Sequence, residues 1–306
     1  MRIFLKIALG FSFLFSSFAF INTANALDIV FAEDRPDLRT LDPRITQSRH
    51  EEMLIVNMFD QLISADSSGN IYPGLATSWD ISSDGLEYTF SLRDDVTFHD
   101  GTKFDAAAVK ATFDSIVDPE TGSQGAVDIL GPYKETIVVD DFTAKVVFER
   151  RYGSAITAFT ETELSIVSPT ALDKLGNEGF GMAPVGSGPF MFKNWEANKK
   201  VELVRNPDYN WAPEYMDGSG PSQVENLTYR LIKDTSTRVA ALEAGEIDIA
   251  ELVPPLDMRR FDSSGDLSTV TGTVSGLPYS AFLNTTTGVF QDVNVRKAFF
   301  HSLDRV

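Results

Sequence analysis

The sequence predicts an α/β fold, and three observations predict it. From Leu227 to Ile249 a strand, a helix and a short strand follow one another, the order that lays helices over a sheet. Residues 70–185 alternate apolar and polar side chains between turn signals, so strands dominate there. The 306 residues are 43% hydrophobic and include no cysteine, so stability must come from a large buried core rather than from disulfides.

Residues 1–26 read as a secretory leader. Arg2 and Lys6 supply positive charge, Ile7 to Ile21 is apolar, and Ala24-Asn25-Ala26 fits a small-x-small cleavage site, with cleavage expected after Ala26. The alternative is an uncleaved membrane anchor, which needs an apolar stretch of about 18 residues; Lys6 shortens the uninterrupted stretch. With no cysteine there is no site for an N-terminal lipid, and the expectation is a free periplasmic protein. Full-length charge is −18, and removing the two basic residues of the leader takes it to −20. That balance argues against nucleic acid and against an anionic membrane surface as partners.

Leu27 to Ala32 reads as the first strand. Ser48 with Glu51 three residues on has the capping-box pattern, and Met53, Ile55, Val56, Phe59 and Leu62 continue at helical spacing. Asp84-Gly85 marks a turn, after which Leu86, Tyr88, Phe90 and Leu92 alternate as a half-buried strand. Asp100-Gly101 marks another turn, and Asp105 caps a helix with Val109, Phe113 and Ile116 on one face. Residues 136–139 and 144–148 form a hairpin around Asp140-Asp141. Ser168-Pro169 opens a helix that Gly176 ends. A second hairpin is expected from Pro189–Trp195 and Lys200–Val204, then a strand at 227–232. Asp234 or Thr235 caps the next helix, which closes at Gly245, and Ile247–Ile249 is a short strand. Asn294 is the expected cap of a last helix carrying Val295, Ala298, Phe299 and Leu303. The sequence stops inside that helix, which reads as a fragment.

Catalytic signatures are weak. His50, His99 and His301 share no short ligand spacing, so no metal site is expected, and His99 reads as a turn residue. Asp94-Asp95, Asp140-Asp141 and the pair Glu161 and Glu163 are adjacent or near-adjacent carboxylates, explained by strand alternation and turn chemistry. A secreted hydrolase using Asp94, Asp140 or Glu161 is the competing reading from another class. Gly186-Ser187-Gly188-Pro189 lacks the following helix that a nucleophile elbow needs. No phosphate-cradling Gly-rich motif is present. The expectation is a binding protein that is not an enzyme and uses no cofactor.

Seven segments in fixed order carry a resemblance. They are Thr40-Leu41-Asp42-Pro43, Ile71 to Trp79, Ser83 to Phe90, Leu92 to Gly101, Gly186 to Phe190, Arg205 to Tyr209, and Ala241 to Ile249. Phe282-Leu283-Asn284-Thr285 and Phe290 to Ala298 extend it. Together they resemble the peptide/nickel-type extracellular solute-binding proteins (family 5) that serve bacterial ABC importers.

The resemblance implies a two-lobed periplasmic-binding-protein fold of the three-domain, peptide-binding type. Domain I would comprise 27–69 and 186–284, a strand-rich domain II 70–185, and a third domain, largely missing, would begin at 285. It implies a monomeric receptor that captures a di- or oligopeptide by cleft closure and delivers it to a membrane permease. Nickel chelates, opines, oligosaccharides and glutathione are open alternatives, as is signalling to a membrane sensor. Cleft-facing candidates by the same resemblance are Thr46, Gln47 and Ser48, then Ser123 and Gln124 beside Gly122, and Tyr279 and Ser280. Gln47 and Gln124 would bond backbone amides, and Tyr279 would stack on the solute or hydrogen-bond it. Trp79, Tyr88, Phe90, Pro189 and Tyr209 are implied to be structural.

Overall fold

The computed structural model describes residues 27–34, 38–216, 218–265, 267–272 and 281–303. The leader, Tyr279 and Ser280 lie outside the described residues. The chain divides into two units, Met1–Pro254 and Pro255–Val306.

In the first unit the opening strand, β1 (Leu27–Glu33), becomes the interior of a mixed sheet. Seven residues pair in parallel with a strand that arrives late in the chain, Leu27 opposite Val224 through Glu33 opposite Leu231. In chain order the strands are β2 (Ile63–Ala65), β3 (Ile71–Pro73), β4 (Ala76–Ile81), β5 (Glu87–Leu92), β6 (Tyr133–Asp140), β7 (Thr143–Phe148), β8 (Phe190–Glu196), β9 (Lys200–Arg205), β10 (Val224–Leu231) and β11 (Ile249–Ala250). The larger sheet runs β11-β1-β10-β9-β8. A four-stranded sheet runs β4-β5-β7-β6, and β2 pairs with β3 alone.

Local chemistry explains most helices. Asp105 Oδ1 accepts the Ala108 amide and opens α2 (Ala106–Val117), whose Val109, Phe113 and Ile116 are buried as their spacing predicts. Further helices are α1 (Arg49–Ile55), which precedes it, α3 (Gly125–Leu130), α4 (Ala155–Ala158) and α5 (Pro169–Met182). Ser168 caps α5 by accepting the Ala171 amide, and Gly176, at φ 67° and ψ 175°, breaks it into two segments. Asp234 accepts the Thr237 amide to open α6 (Thr235–Glu243), and Gly245 at φ 70° follows that helix. The β10–α6–β11 crossover passes β1, which lies between the two strands it joins.

Two local expectations need correction. Ser48 sits at the N-cap of α1 but its side chain makes no cap bond, and the capping box does not form. Glu51 instead accepts the Arg39 amide at 2.8 Å and the Thr46 hydroxyl at 2.7 Å, pinning the preceding loop. Helix α1 then ends at Ile55, so Val56 is exposed while Phe59 and Leu62 are buried beyond it.

Packing is aromatic around the four-stranded sheet. The Phe159 ring lies 5.0 Å from Phe90, 5.8 Å from Phe113, 6.1 Å from Tyr88 and 6.2 Å from Phe148. Edge-to-face and offset geometries of this kind add about 0.5–1.5 kcal/mol per pair beyond area burial. A second core joins Leu54, Ile55, Met58 and Phe59 to Phe180, Phe190, Val201, Leu203 and Tyr229. Ala32, Ala241 and Ile247 form a third under α6.

The second unit holds α7 (Pro255–Ser264) and α8 (Val293–His301). Phe261 is buried in α7 with the Arg260 guanidinium 5.0 Å over its ring. Asp292, not Asn294, caps α8, accepting the Asn294 amide at 2.7 Å.

Candidate functional site

The loop before α1 is built on a buried ion pair. Asp42 accepts from its neighbour's backbone amide and guanidinium, with Arg44 Nη2 2.6 Å from Asp42 Oδ2 and both side chains fully enclosed. Arg44 reaches on to Ser115 in α2 and Asn177 in α5, each at 3.0 Å, and lies 5.5 Å over the Phe180 ring. Such a pair is retained only when every remaining donor is met, and here three elements supply the partners. The loop is therefore held rigidly where it delivers Thr46, Gln47 and Ser48.

Of the expected solute contacts, Thr46 is fully buried and gives its hydroxyl to Glu51. Gln47 and Gln124 are exposed and meet each other, Gln47 Nε2 donating to Gln124 Oε1 at 2.8 Å across 77 residues of sequence. Ser123 accepts the Val127 amide at 3.2 Å, an early turn of α3, where Gln124 makes no cap bond. Tyr279 and Ser280 fall outside the described residues. The two glutamines are thus brought together, and each keeps amide groups available for a further bond.

The carboxyl ends of parallel strands are where ligands sit in open α/β sheets, most of all beside the strand that a crossover passes. Here that strand is β1. Its last residue, Glu33, is fully buried, and Ala32 opposite Ala250 brings the end of β11 alongside. Glu251 follows directly, its amide donating to the Ala32 carbonyl at 2.9 Å. Arg238 fixes this end from below, donating to Ile232 O at 2.6 Å and Glu251 O at 2.9 Å. Leu252 takes φ 51°, a left-handed conformation that costs a non-glycine residue about 1–3 kcal/mol. His50, on α1 close to Gln47 in sequence, completes a group with Glu33 and Glu251 whose ligand atoms all lie within 4.8 Å of one another. No spacing rule reveals this set, because its members are separated by 17 and 201 positions.

Another polar knot forms where Gly186-Ser187-Gly188-Pro189 crosses the end of α1. Asp60 accepts from Ser187 at 2.8 Å, Trp211 Nε1 at 3.0 Å and Tyr209 OH at 3.2 Å. Burial pushes the Asp60 carboxyl up, against these three donors, and burial beside Asp60 pushes the Tyr209 phenol up. His99 Nε2 lies 2.9 Å from Gly188 O, and burial lowers its pKa to about 4. The hollow lined by Asp60, Gln61, Ser64, Gly74, Trp211 and Pro213 has a cavity volume of about 10 Å³. That is below the roughly 300 Å³ where ligand pockets begin, so this knot is structural. Asp94, Asp140 and Glu161 sit on separate exposed turns: after β5, in the β6–β7 hairpin and after α4.

Residues 70–306 match the family model described as bacterial extracellular solute-binding proteins, family 5 Middle. The glutathione-binding protein GsiB of Salmonella paratyphi A is 28% identical over 290 residues, covering 95% of this chain and 54% of that protein. Among solved structures, OppA of Haemophilus influenzae in complex with RPPGFSPFR superposes with a TM-score of 0.74 at 25% identity, over 92% of this chain and 56% of that one. MoaA of A. tumefaciens R10, in complex with mannopinic acid, superposes with a TM-score of 0.78 at 24% identity, over 91% and 56%; at that identity the likeness speaks for the fold. The chain spans about half the length of the curated relatives it matches. Among the described residues no helix is long and apolar enough to cross a membrane.

Proposed function

This chain belongs to the bacterial extracellular solute-binding proteins of family 5, and on that premise we propose that it is the periplasmic substrate-binding component of an ABC importer for a di- or oligopeptide. It is no enzyme: its relatives are solute-binding receptors. The observation that carries the peptide reading is the exposed Gln47–Gln124 pair at the foot of a rigid loop. Carboxamides offer both donors and acceptors, the complement of a peptide backbone.

In this reading Gln47, Gln124 and Ser123 meet the solute's amides and Thr46 holds Gln47 in place. The solute is captured between two lobes, the lobes close, and the closed form docks on the permease as a monomer. Glutathione is the second reading, favoured by the binding named for GsiB.

Thermal shift across dipeptides, tetrapeptides, glutathione, opines, oligosaccharides and nickel–histidine tests the proposal, since a ligand that binds the folded state alone raises the melting temperature. A stabilisation by peptides that Gln47→Ala and Gln124→Ala both weaken is the expected result. A shift with opines or sugars only would overturn it. Export is tested by N-terminal sequencing of the secreted protein, which should begin at Leu27.

A further inference from the structure

We propose that Glu33, His50 and Glu251 form a binding site for a single divalent transition-metal ion of the zinc, nickel or cobalt class. Each residue places one ligand atom within 4.8 Å of the other two. Atoms that share an ion at about 2.1 Å lie no more than about 4.2 Å apart, so small side-chain rotations close the set around a cation.

The donors come from three separate segments of the chain. Glu33 is the buried end of β1, Glu251 is fixed beside it by parallel pairing, and His50 comes from α1. Glu251 Oε2 is buried with no hydrogen-bond partner among the described residues. Two carboxylates brought this close repel one another, and a dication between them reverses the sign of that interaction.

Donor chemistry selects the class of ion. Imidazole with two carboxylates suits zinc, nickel, cobalt, iron or manganese, whereas calcium takes six to eight oxygens, more than three residues here supply. Three protein ligands leave at least one coordination position open to water or to a donor atom of a solute. The site stands apart from the peptide reading, because all three ligands belong to the strand ends and α1 and none is Gln47, Ser123 or Gln124.

The test is calorimetric titration of the purified, chelator-stripped protein with zinc, nickel and cobalt chlorides in the absence of any peptide. Visible absorption of the cobalt form is recorded in parallel. One-to-one saturable binding, with cobalt d–d bands, should weaken by about tenfold or more in both His50→Ala and Glu251→Gln. His301→Ala should leave it unchanged. Glu33→Gln alters a fully buried carboxylate, so the two less buried positions keep the outcome decisive if that variant fails to fold. Absence of saturable binding, or binding that neither substitution weakens, would overturn the site. So would stabilisation by a simple amine in the presence of EDTA that Glu251→Gln abolishes, which would assign the cluster to an ammonium group instead.

Discussion

Replacing Gly188 with alanine tests how closely the chain must approach itself where Gly186-Ser187-Gly188-Pro189 crosses the turn after α1. A Cβ on Gly188 would stand 2.6 Å from the Met58 carbonyl carbon, 2.7 Å from Phe59 N and 2.9 Å from Asn57 O. All three are backbone atoms, so no side chain can swing aside. Relief requires moving the strand or the turn by most of an ångström. The Gly188 amide bond to Met58 O and the Phe190 amide bond to Asn57 O, both 2.9 Å, would stretch with it. Overpacking costs about 1–3 kcal/mol and each strained bond about 1 kcal/mol, for a total of about 3–5 kcal/mol. Gly153→Ala is the control: nothing lies within 4 Å of its added Cβ, and such a change shifts stability by at most about 1 kcal/mol in either direction. Urea unfolding followed by fluorescence of Trp79, Trp195 and Trp211 reads both. If the two variants unfold within about 1 kcal/mol of each other, the close-approach argument fails.

Three further outcomes follow from the same geometry. His99 is held neutral, with a folded pKa of about 4 against about 6.5 when unfolded, so stability should fall as pH drops from about 6.5 to 4. That window is worth about 2–3 kcal/mol, and His99→Asn should lack it; equal slopes for both proteins in acid unfolding curves would contradict the assignment. Asp60→Asn presents an amide to at least one of the three donors around it, so it should cost about 1–3 kcal/mol and shift the emission of Trp211. An unchanged midpoint and spectrum would show the knot to be dispensable. Asp105→Ala should lose about 1 kcal/mol through its cap bond to Ala108, while Ser48→Ala, with no cap bond to lose, should change little; the thermal midpoints of the two variants check this.

The elements legible in the sequence were those governed by neighbours in the chain. Asp105, Ser168 and Asp234 cap helices because an Asp or Ser side chain reaches an amide three residues on, whatever the rest of the fold does. Asp140-Asp141 turns a hairpin for the same local reason. Reading failed where a distant partner competed. Glu51 satisfies the capping-box spacing, yet the amide of Arg39 and the hydroxyl of Thr46 claim its carboxylate. His99 does lie in the turn that Asp100-Gly101 signals, but no local signal foretells that its ring is carried against Gly188, 89 positions away. At the candidate site Gln47 and Gln124 were named separately and the fold joins them. Glu33, His50 and Glu251 left no trace in any window of sequence, because strand register and the crossover past β1, not spacing, bring them together.

The interior position of β1 also sets a timetable. Its pairing partner Val224 leaves the ribosome about 200 residues after Leu27, which at about 5–20 residues per second means a wait of about 10–40 s. Its other neighbour, β11, arrives later still. Through that interval β1 has neither of its neighbours to pair with, and contacts this distant in sequence close slowly even once both strands exist. On the export route proposed above such a delay is useful: the strand nearest the N-terminus, β1, stays unpaired until the late strands β10 and β11 exist.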